Sequence, residues 1–400
     1  MFRPRTPRSL AAGGGALAVG AVAAAVLVLS GLRTGAEGQD PADGLPHTPV
    51  HISSSKCGDG WTRPRGGLQV FDVRNTSDST VEVELTDATT GKVHGEIESL
   101  APGATRPLQV TLGNGSYAFT CLPDDSDAAT GATVTISGSH AASGPAVLPV
   151  TVHDLIPPAI TYQQWIGDRM GDLAVGVGAL KAAIDSGRLA AARSAWLPAH
   201  LVYERMGAAY GTFGDVDKAI NGTTAGLADG IDDSHFTGFH RIEYGLWHGQ
   251  SATQLRGATT KLASDVDQLR ASWAQTRMNP NDLGRRAHEI LENTLQFELT
   301  GRTDYGSGSN LATARANLDG TRTVLGFLRP LLTSRDLGLT QLDAQLDQLQ
   351  RTLDSFTTPS GWTPLDKLTL HQRERIDADL SESLEQLARV AAVCDVRRTS

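Results

Sequence analysis

Two periodicities divide this chain. Between residues 50 and 138, apolar and polar positions alternate in short runs: Leu68-Gln69-Val70-Phe71-Asp72-Val73, Val81-Glu82-Val83-Glu84-Leu85, Gln109-Val110-Thr111-Leu112, Tyr117-Ala118-Phe119 and Ala132-Thr133-Val134-Thr135-Ile136. A period of two sends successive side chains to opposite faces, so each run predicts a half-buried strand. The stretches between them are rich in Gly, Asn, Asp and Ser, with Gly113-Asn114-Gly115 a tight turn. Many short strands in so little chain predict a small antiparallel β-sandwich. Beyond residue 158 the period lengthens. Leu342, Leu346, Leu349, Leu353 and Phe356 are spaced by three and four, and Leu380, Leu384, Leu387 and Val390 obey the same rule. Each set makes one apolar stripe on a helix, so residues 159–396 predict an α-helical bundle or two fused bundles. Asp185-Ser186-Gly187 and Asn279-Pro280-Asn281-Asp282 are helix-start signals within it. Residues 139–158, with Gly144, Pro145, Pro149, Pro157 and Pro158, predict a linker.

The amino terminus has a third texture. Arg3, Arg5 and Arg8 precede an uncharged stretch of Ala, Val, Leu and Gly over residues 9–32. Basic residues stay in the cytoplasm, so residues 1–33 predict a signal peptide or a membrane anchor that exports the rest of the chain. The run is long enough to cross ~30 Å of hydrocarbon, which leaves both options open. Residues 34–49 then predict a tether. The folded part is expected outside the cytoplasm, anchored at its N-terminus or released to the periplasm or cell surface.

Composition narrows the function classes. Four hundred residues with 40% hydrophobic and 20% charged positions are ordinary globular material. A formal net charge of -9, with no long basic run past Arg8, argues against nucleic acid as a partner. In an oxidising compartment thiols pair, and joining Cys57 to Cys121 would stabilise the strand region by ~4 kcal/mol in the chain-entropy model. Cys394 is left over, as a free thiol on a frayed terminus or an intermolecular bridge.

The candidate chemistry lies in the helical part. His240 and Glu243, in Thr237-Gly238-Phe239-His240-Arg241-Ile242-Glu243, are three apart and share a helix face, where an imidazole and a carboxylate can meet one cation. Glu204 and Glu292 sit in other predicted helices among apolar neighbours, and bundle metal sites draw inward-facing carboxylates and imidazoles from several helices. Other motifs are weaker. His288-Glu289-Ile290-Leu291-Glu292 lacks the second imidazole of a His-Glu-x-x-His zinc protease, and Gly306-Ser307-Gly308-Ser309 is a flexible turn. His235 and His248 flank the main motif and are expected to be exposed, while Phe239, Tyr244 and Trp247 are expected to pack.

Over residues 162–393 the chain resembles the imelysin-like domain of EfeO-type iron-uptake proteins. The resemblance rests on Tyr203-Glu204-Arg205, Gly214-Asp215-Val216-Asp217 with Ile220-Asn221, Phe236 to Glu243 with its Gly-x-His-x-x-Glu block, Ala316-Asn317-Leu318-Asp319-Gly320, and Leu328-Arg329-Pro330. The strand region is similar to the cupredoxin-like domain that precedes it in such proteins, through Lys56-Cys57-Gly58, Val81-Glu82-Val83-Glu84, Leu100-Ala101-Pro102-Gly103 and Tyr117-Ala118-Phe119-Thr120-Cys121. The resemblance implies an extracytoplasmic component that binds iron, as Fe²⁺ or Fe³⁺, and passes it to a membrane permease, with a haem-dependent peroxidase as a further partner. It nominates Glu204, His240, Glu243 and Glu292 as ligands; hard carboxylate oxygens suit iron, with copper or zinc as alternatives. Two positions depart from the pattern: Gly207 stands where many relatives carry a Glu, and Asn310 where they carry an Asp, with Asp215 or Asp217 as compensating acids. In the strand region the absence of a His and a Met near Cys121 argues against a blue-copper site. The resemblance suggests metal on Glu and Cys side chains there, nominating Glu82 or Glu84, Glu98, Cys57 and Cys121. A disulfide would use up both thiols and leave Glu84 and Glu98 as a secondary site or as solvated strand faces. Two rivals to a non-enzymatic iron carrier stand: an imelysin-like metallopeptidase built on the same His-x-x-Glu pair, and a metal-dependent binding module for an acidic polysaccharide.

Overall fold

The computed structural model describes residues 43–124, 126–335, 337–359 and 361–397. The expected export segment lies outside them, and among the described residues no helix is long and apolar enough to cross a membrane.

The alternating runs form two sheets. One orders β2 (Lys56–Asp59), β1 (His47–Ser53), β3 (Gly67–Asn75) and β6 (Thr105–Leu112); the other orders β5 (Val93–Leu100), β4 (Val81–Asp87), β7 (Gly115–Pro123) and β8 (Ala129–Thr130), with β9 (Val134–Ile136) also on β7. The expected antiparallel arrangement has one exception, since β1 runs parallel to β3. The first strand also starts at His47, inside the expected tether. Between the sheets lie Val50, Phe71, Val83, Leu85 and Phe119, and Trp61, Phe71 and Phe119 meet edge to face with centroids 4.8–5.6 Å apart. The Cys57–Cys121 disulfide is present and joins β2 in one sheet to β7 in the other.

Beyond the sheets, the described residues form ten helices: α1 (Val152–Asp185), α2 (Leu189–Glu204), α3 (Tyr210–Phe213), α4 (Asp215–Asn221), α5 (Gly238–Trp247), α6 (Ala252–Trp273), α7 (Asp282–Asn293), α8 (Asn310–Ser334), α9 (Leu339–Asp354) and α10 (Leu370–Val393). α1 starts within the expected linker and runs through Pro157 and Pro158. Its N-terminus is set by a capping box in which Thr151 and Asp154 each satisfy the other's backbone N–H, a stronger start signal than the prolines are a stop. The leucine stripes are core as expected: Leu342, Leu346, Leu349 and Leu353 on α9 and Leu380, Leu387 and Val390 on α10 are buried. α1, α2, α5 and α6 pack as one group, α7 to α10 as another, and α8 touches both α1 and α2. Cys394 is not frayed: it is 2% exposed, seated against Gly284, where a Cβ would lie 2.3 Å from its own. Burial pushes its thiol up to about 11, away from the thiolate form in which a cysteine reacts.

A cavity between the helices and the candidate metal centre

Glu204 ends α2 with its carboxylate inside the protein, 5% exposed. A negative charge at a helix C-terminus opposes the helix dipole, so its partners must compensate. They come from the sequence blocks around Glu204, Asn221 and Asn317. His200, one turn earlier, lies 2.9 Å from Glu204 Oε1 through Nε2, and Asn221 Nδ2 donates to the same oxygen at 2.8 Å. Asn317, with its amide nitrogen turned toward Glu204 and its carbonyl toward Thr294, donates to Oε2 at 3.0 Å. Gly320 lets α8 come this close, since a Cβ there would sit 2.7 Å from the Arg205 carbonyl. Burial alone would push the Glu204 carboxyl up; the charge and hydrogen bond of His200, with Asn221, outweigh it and hold the group below the usual range. For His200 the balance is reciprocal: burial works against its charge, but Glu204, Glu243 and Glu298 together raise its pKa.

α5 places His240. Gly238 has φ of 76°, and a Cβ there would lie 2.1 Å from the Ile220 carbonyl, so the glycine of the Gly-x-His-x-x-Glu block is what lets α5 start against α4. Trp196 Nε1 donates to the Phe239 carbonyl at 2.9 Å, and Arg193 caps the far end of the helix through the Leu246 carbonyl. His240 Nδ1 meets Glu243 Oε2 at 3.1 Å, which leaves Nε2 as the ring nitrogen for the cavity that His240 lines. Glu243 itself is 1% exposed and lies behind the ring. Its Oε1 accepts from the Tyr305 and Ser307 backbones at 3.0 and 3.1 Å and from Ser307 Oγ at 2.6 Å. Although burial opposes its charge, the His240 and Ser307 interactions hold its carboxyl below the ordinary range. Glu243 thus stands as a carboxylate behind a histidine, hydrogen-bonded to the imidazole and not among the residues that line the cavity.

The cavity, of about 620 Å³, is bordered by α2, α4, α5, α7, α8 and the loop after α7. Glu204, Asp217, His240 and Glu298 all line it. Glu298 was not among the expected ligands. It closes a π-helical turn, Thr294–Glu298, at the end of α7, is 9% exposed, and accepts from Asn310 Nδ2 at 3.1 Å. Burial, then the charge of Glu204, pushes it up to about 7. Asp217, bonded by the Tyr203 hydroxyl at 2.6 Å, is pushed up to about 6, chiefly by burial. Glu292, expected to face inward, stays outside the cavity: its side chain is 43% exposed and takes a bond from Gln296 at 3.1 Å. The buried row of α7 is Leu283, Ala287, Leu291 and Thr294, which Glu298 continues and Glu292 does not. Asp215 points to solvent beside Lys218, and Asn310 sits behind Glu298. Gly207 lines the cavity, and a Cβ there would come within 2.9 Å of Ile290, so a Glu at this position would require Ile290 to move. His235 and His248 are exposed.

Convergence in the strict sense occurs elsewhere. Among the described residues, the one group of three or more His, Cys, Asp or Glu donors with ligand atoms all within 4.8 Å of one another is Glu82, Glu84 and Glu96, on β4 and β5. Glu84 and Glu96 are directly opposed across the strands, and Arg397 forms a salt bridge with Glu96. Glu84 is 3% exposed and is pushed up to about 7, first by burial and then by Glu82, with Arg397 opposing. Glu98, expected beside Glu84, is exposed; the positive φ of 51° at Ser99 marks an irregular end of β5.

The family model described as Imelysin matches residues 159–391, the helical body that holds the cavity. The chain belongs to the imelysin family. Its relatives include proteins named iron uptake system component EfeO. That of Yersinia pseudotuberculosis serotype I (strain IP32953) is 27% identical over 377 residues, covering 93% of this chain and 96% of the relative. That of Escherichia coli (strain K12) is 24% identical, covering 87% of this chain and 92% of the relative. A solved chain from Parabacteroides distasonis ATCC 8503 matches this imelysin protein with a TM-score of 0.46 at 12% identity, over 64% of this chain and 97% of its own.

Proposed function

We propose that this imelysin protein is a non-enzymatic, extracytoplasmic component of an iron-uptake system, which captures iron in the helical cavity and delivers it to a membrane permease. The observation that carries the reading is the placing of Glu204, His240 and Glu298 around the wall of one cavity, each fixed by a polar partner of its own. Preset hard oxygen donors with one imidazole suit Fe²⁺ or Fe³⁺ over softer ions. The relatives' names agree with that cargo. The open wall favours capture and release over a closed structural site.

Calorimetric titration of the full chain with Fe²⁺ under anaerobic conditions tests the reading. His240→Ala is expected to weaken binding at least tenfold, and Glu243→Gln to weaken it by about tenfold, as the loss of an orienting partner does. Unchanged affinity in both variants would remove the site.

One observation favours a second reading. Glu298, with a pKa of about 7, has the proton affinity of a general base beside metal-bound water, as a metallopeptidase needs. Peptide cleavage by the purified protein that disappears in Glu298→Gln would decide for that reading.

A further inference from the structure

Resting on the iron-carrier reading, the geometry points to the form in which the cargo arrives: we propose that the cavity takes iron still bound to a small polycarboxylate chelator, with Arg302 holding a free carboxylate of the chelator and Glu204, His240 and Glu298 facing the metal.

Three observations lead there. The first is the spacing of the donors. No three imidazole or carboxylate donors in the helical cavity come within 4.8 Å of one another among the described residues, whereas the strand cluster meets that condition. A six-coordinate ion held by so dispersed a set must take most of its ligands from elsewhere. The second is size. At about 30 Å³ per water, an ion with a full first hydration shell needs ~200 Å³, yet the cavity measures about 620 Å³. That volume lies in the range for small organic ligands. The third is charge. The wall formed by α7 and the loop after it carries two guanidinium groups, Arg286 and Arg302. Arg286 is neutralised by Glu289, which lines the same cavity and accepts from it at 2.6 Å, and it packs against Gly211, where a Cβ would lie 2.3 Å from its Nη2. Arg302 is exposed and makes no ion pair among the described residues. An unneutralised guanidinium on the wall of a cation-binding cavity is repulsive to a bare ion and attractive to the carboxylates of an anionic complex, which it can grip through two N–H groups.

Equilibrium dialysis of the full chain against Fe³⁺ with radiolabelled citrate tests this, citrate being the probe and not the assigned physiological chelator. Citrate is expected to be retained with iron at one to one, and to be retained at least tenfold more weakly without iron. Arg302→Ala is expected to lower retention of the iron–citrate complex at least tenfold without weakening anaerobic Fe²⁺ binding, since a repulsive charge is removed; because the residue is exposed, the variant should melt with the wild type. Iron retained while citrate stays in the dialysate, or full retention of the complex by Arg302→Ala, would overturn the inference and leave the iron-carrier reading intact. No retention of iron in either form would overturn both.

Discussion

The two acidic clusters of this molecule are built on opposite principles. On β4 and β5, Glu82, Glu84 and Glu96 come together because adjacent antiparallel strands set side chains opposite one another, and Arg397 joins them as a counter-charge. In the helical body, Glu204, Glu298 and His240 stand on separate elements, each with its own supporting partner, around open space. On the proposed reading, close approach of carboxylates does not by itself mark the cargo site, since Arg397 already supplies a positive charge to the strand cluster. On the same reading, the dispersed donors of the cavity are the ones suited to a cargo, because their partners orient them while the cavity side remains accessible.

Substitutions can break or sharpen that contrast. The largest effect is expected at Glu204, whose loss leaves the buried His200 without its ion-pair partner. Glu204→Ala should cost ~3–5 kcal/mol of stability and abolish measurable iron binding, whereas Glu204→Gln should lose iron but keep more of the stability. Denaturant unfolding beside iron titration separates the two, and an Ala variant as stable as the wild type would mean that the pair is not what holds α2 in place.

The next effect concerns the strand cluster and has the opposite sign. The Glu84 pKa rises from 4.5 to about 7 on folding, so across that window the folded protein holds a proton that the unfolded chain releases, and stability falls as pH rises. Glu84→Gln should match the wild type near pH 4 and exceed it by ~1–3 kcal/mol at pH 8. Thermal melts at the two pH values would show it. If instead iron titration gave one bound ion fewer in this variant, the strand cluster would be a second metal site and the contrast would collapse.

The smallest pair of effects separates neighbours on one helix and its extension. Glu298→Gln should weaken iron binding severalfold at pH 8 and flatten its pH dependence, since in the wild type protonation of Glu298 near pH 7 removes a donor as pH falls. Glu292→Gln should change affinity by less than twofold at any pH. A larger effect at 292 than at 298 would restore the assignment based on local sequence.

Periodicity was enough for the architecture, and motif spacing for part of the site. The alternating runs and leucine stripes predicted a strand domain followed by helices, and Glu204 and His240, nominated through the blocks around them, both line the cavity. Local spacing also carries two further positions: His200 precedes Glu204 by one helical turn, and Glu298 continues the buried row through Leu283, Ala287, Leu291 and Thr294. Capping at Thr151 and Asp154 was local information too, and it outweighed the prolines that suggested a linker.

What sequence alone determined is what depends on local repetition: which segments are strands, which are helices, and which faces are apolar, because a period of two or 3.6 acts through residues close in the chain. Only the tertiary structure decided the direction of each polar side chain. It put Glu243 behind His240 and not beside it, turned Glu292 outward, buried Cys394 under Gly284, and brought Arg397 from the far end of the chain to Glu96. Those outcomes come from which helices and strands pack together, and a carboxylate's role is set by the partners that packing supplies.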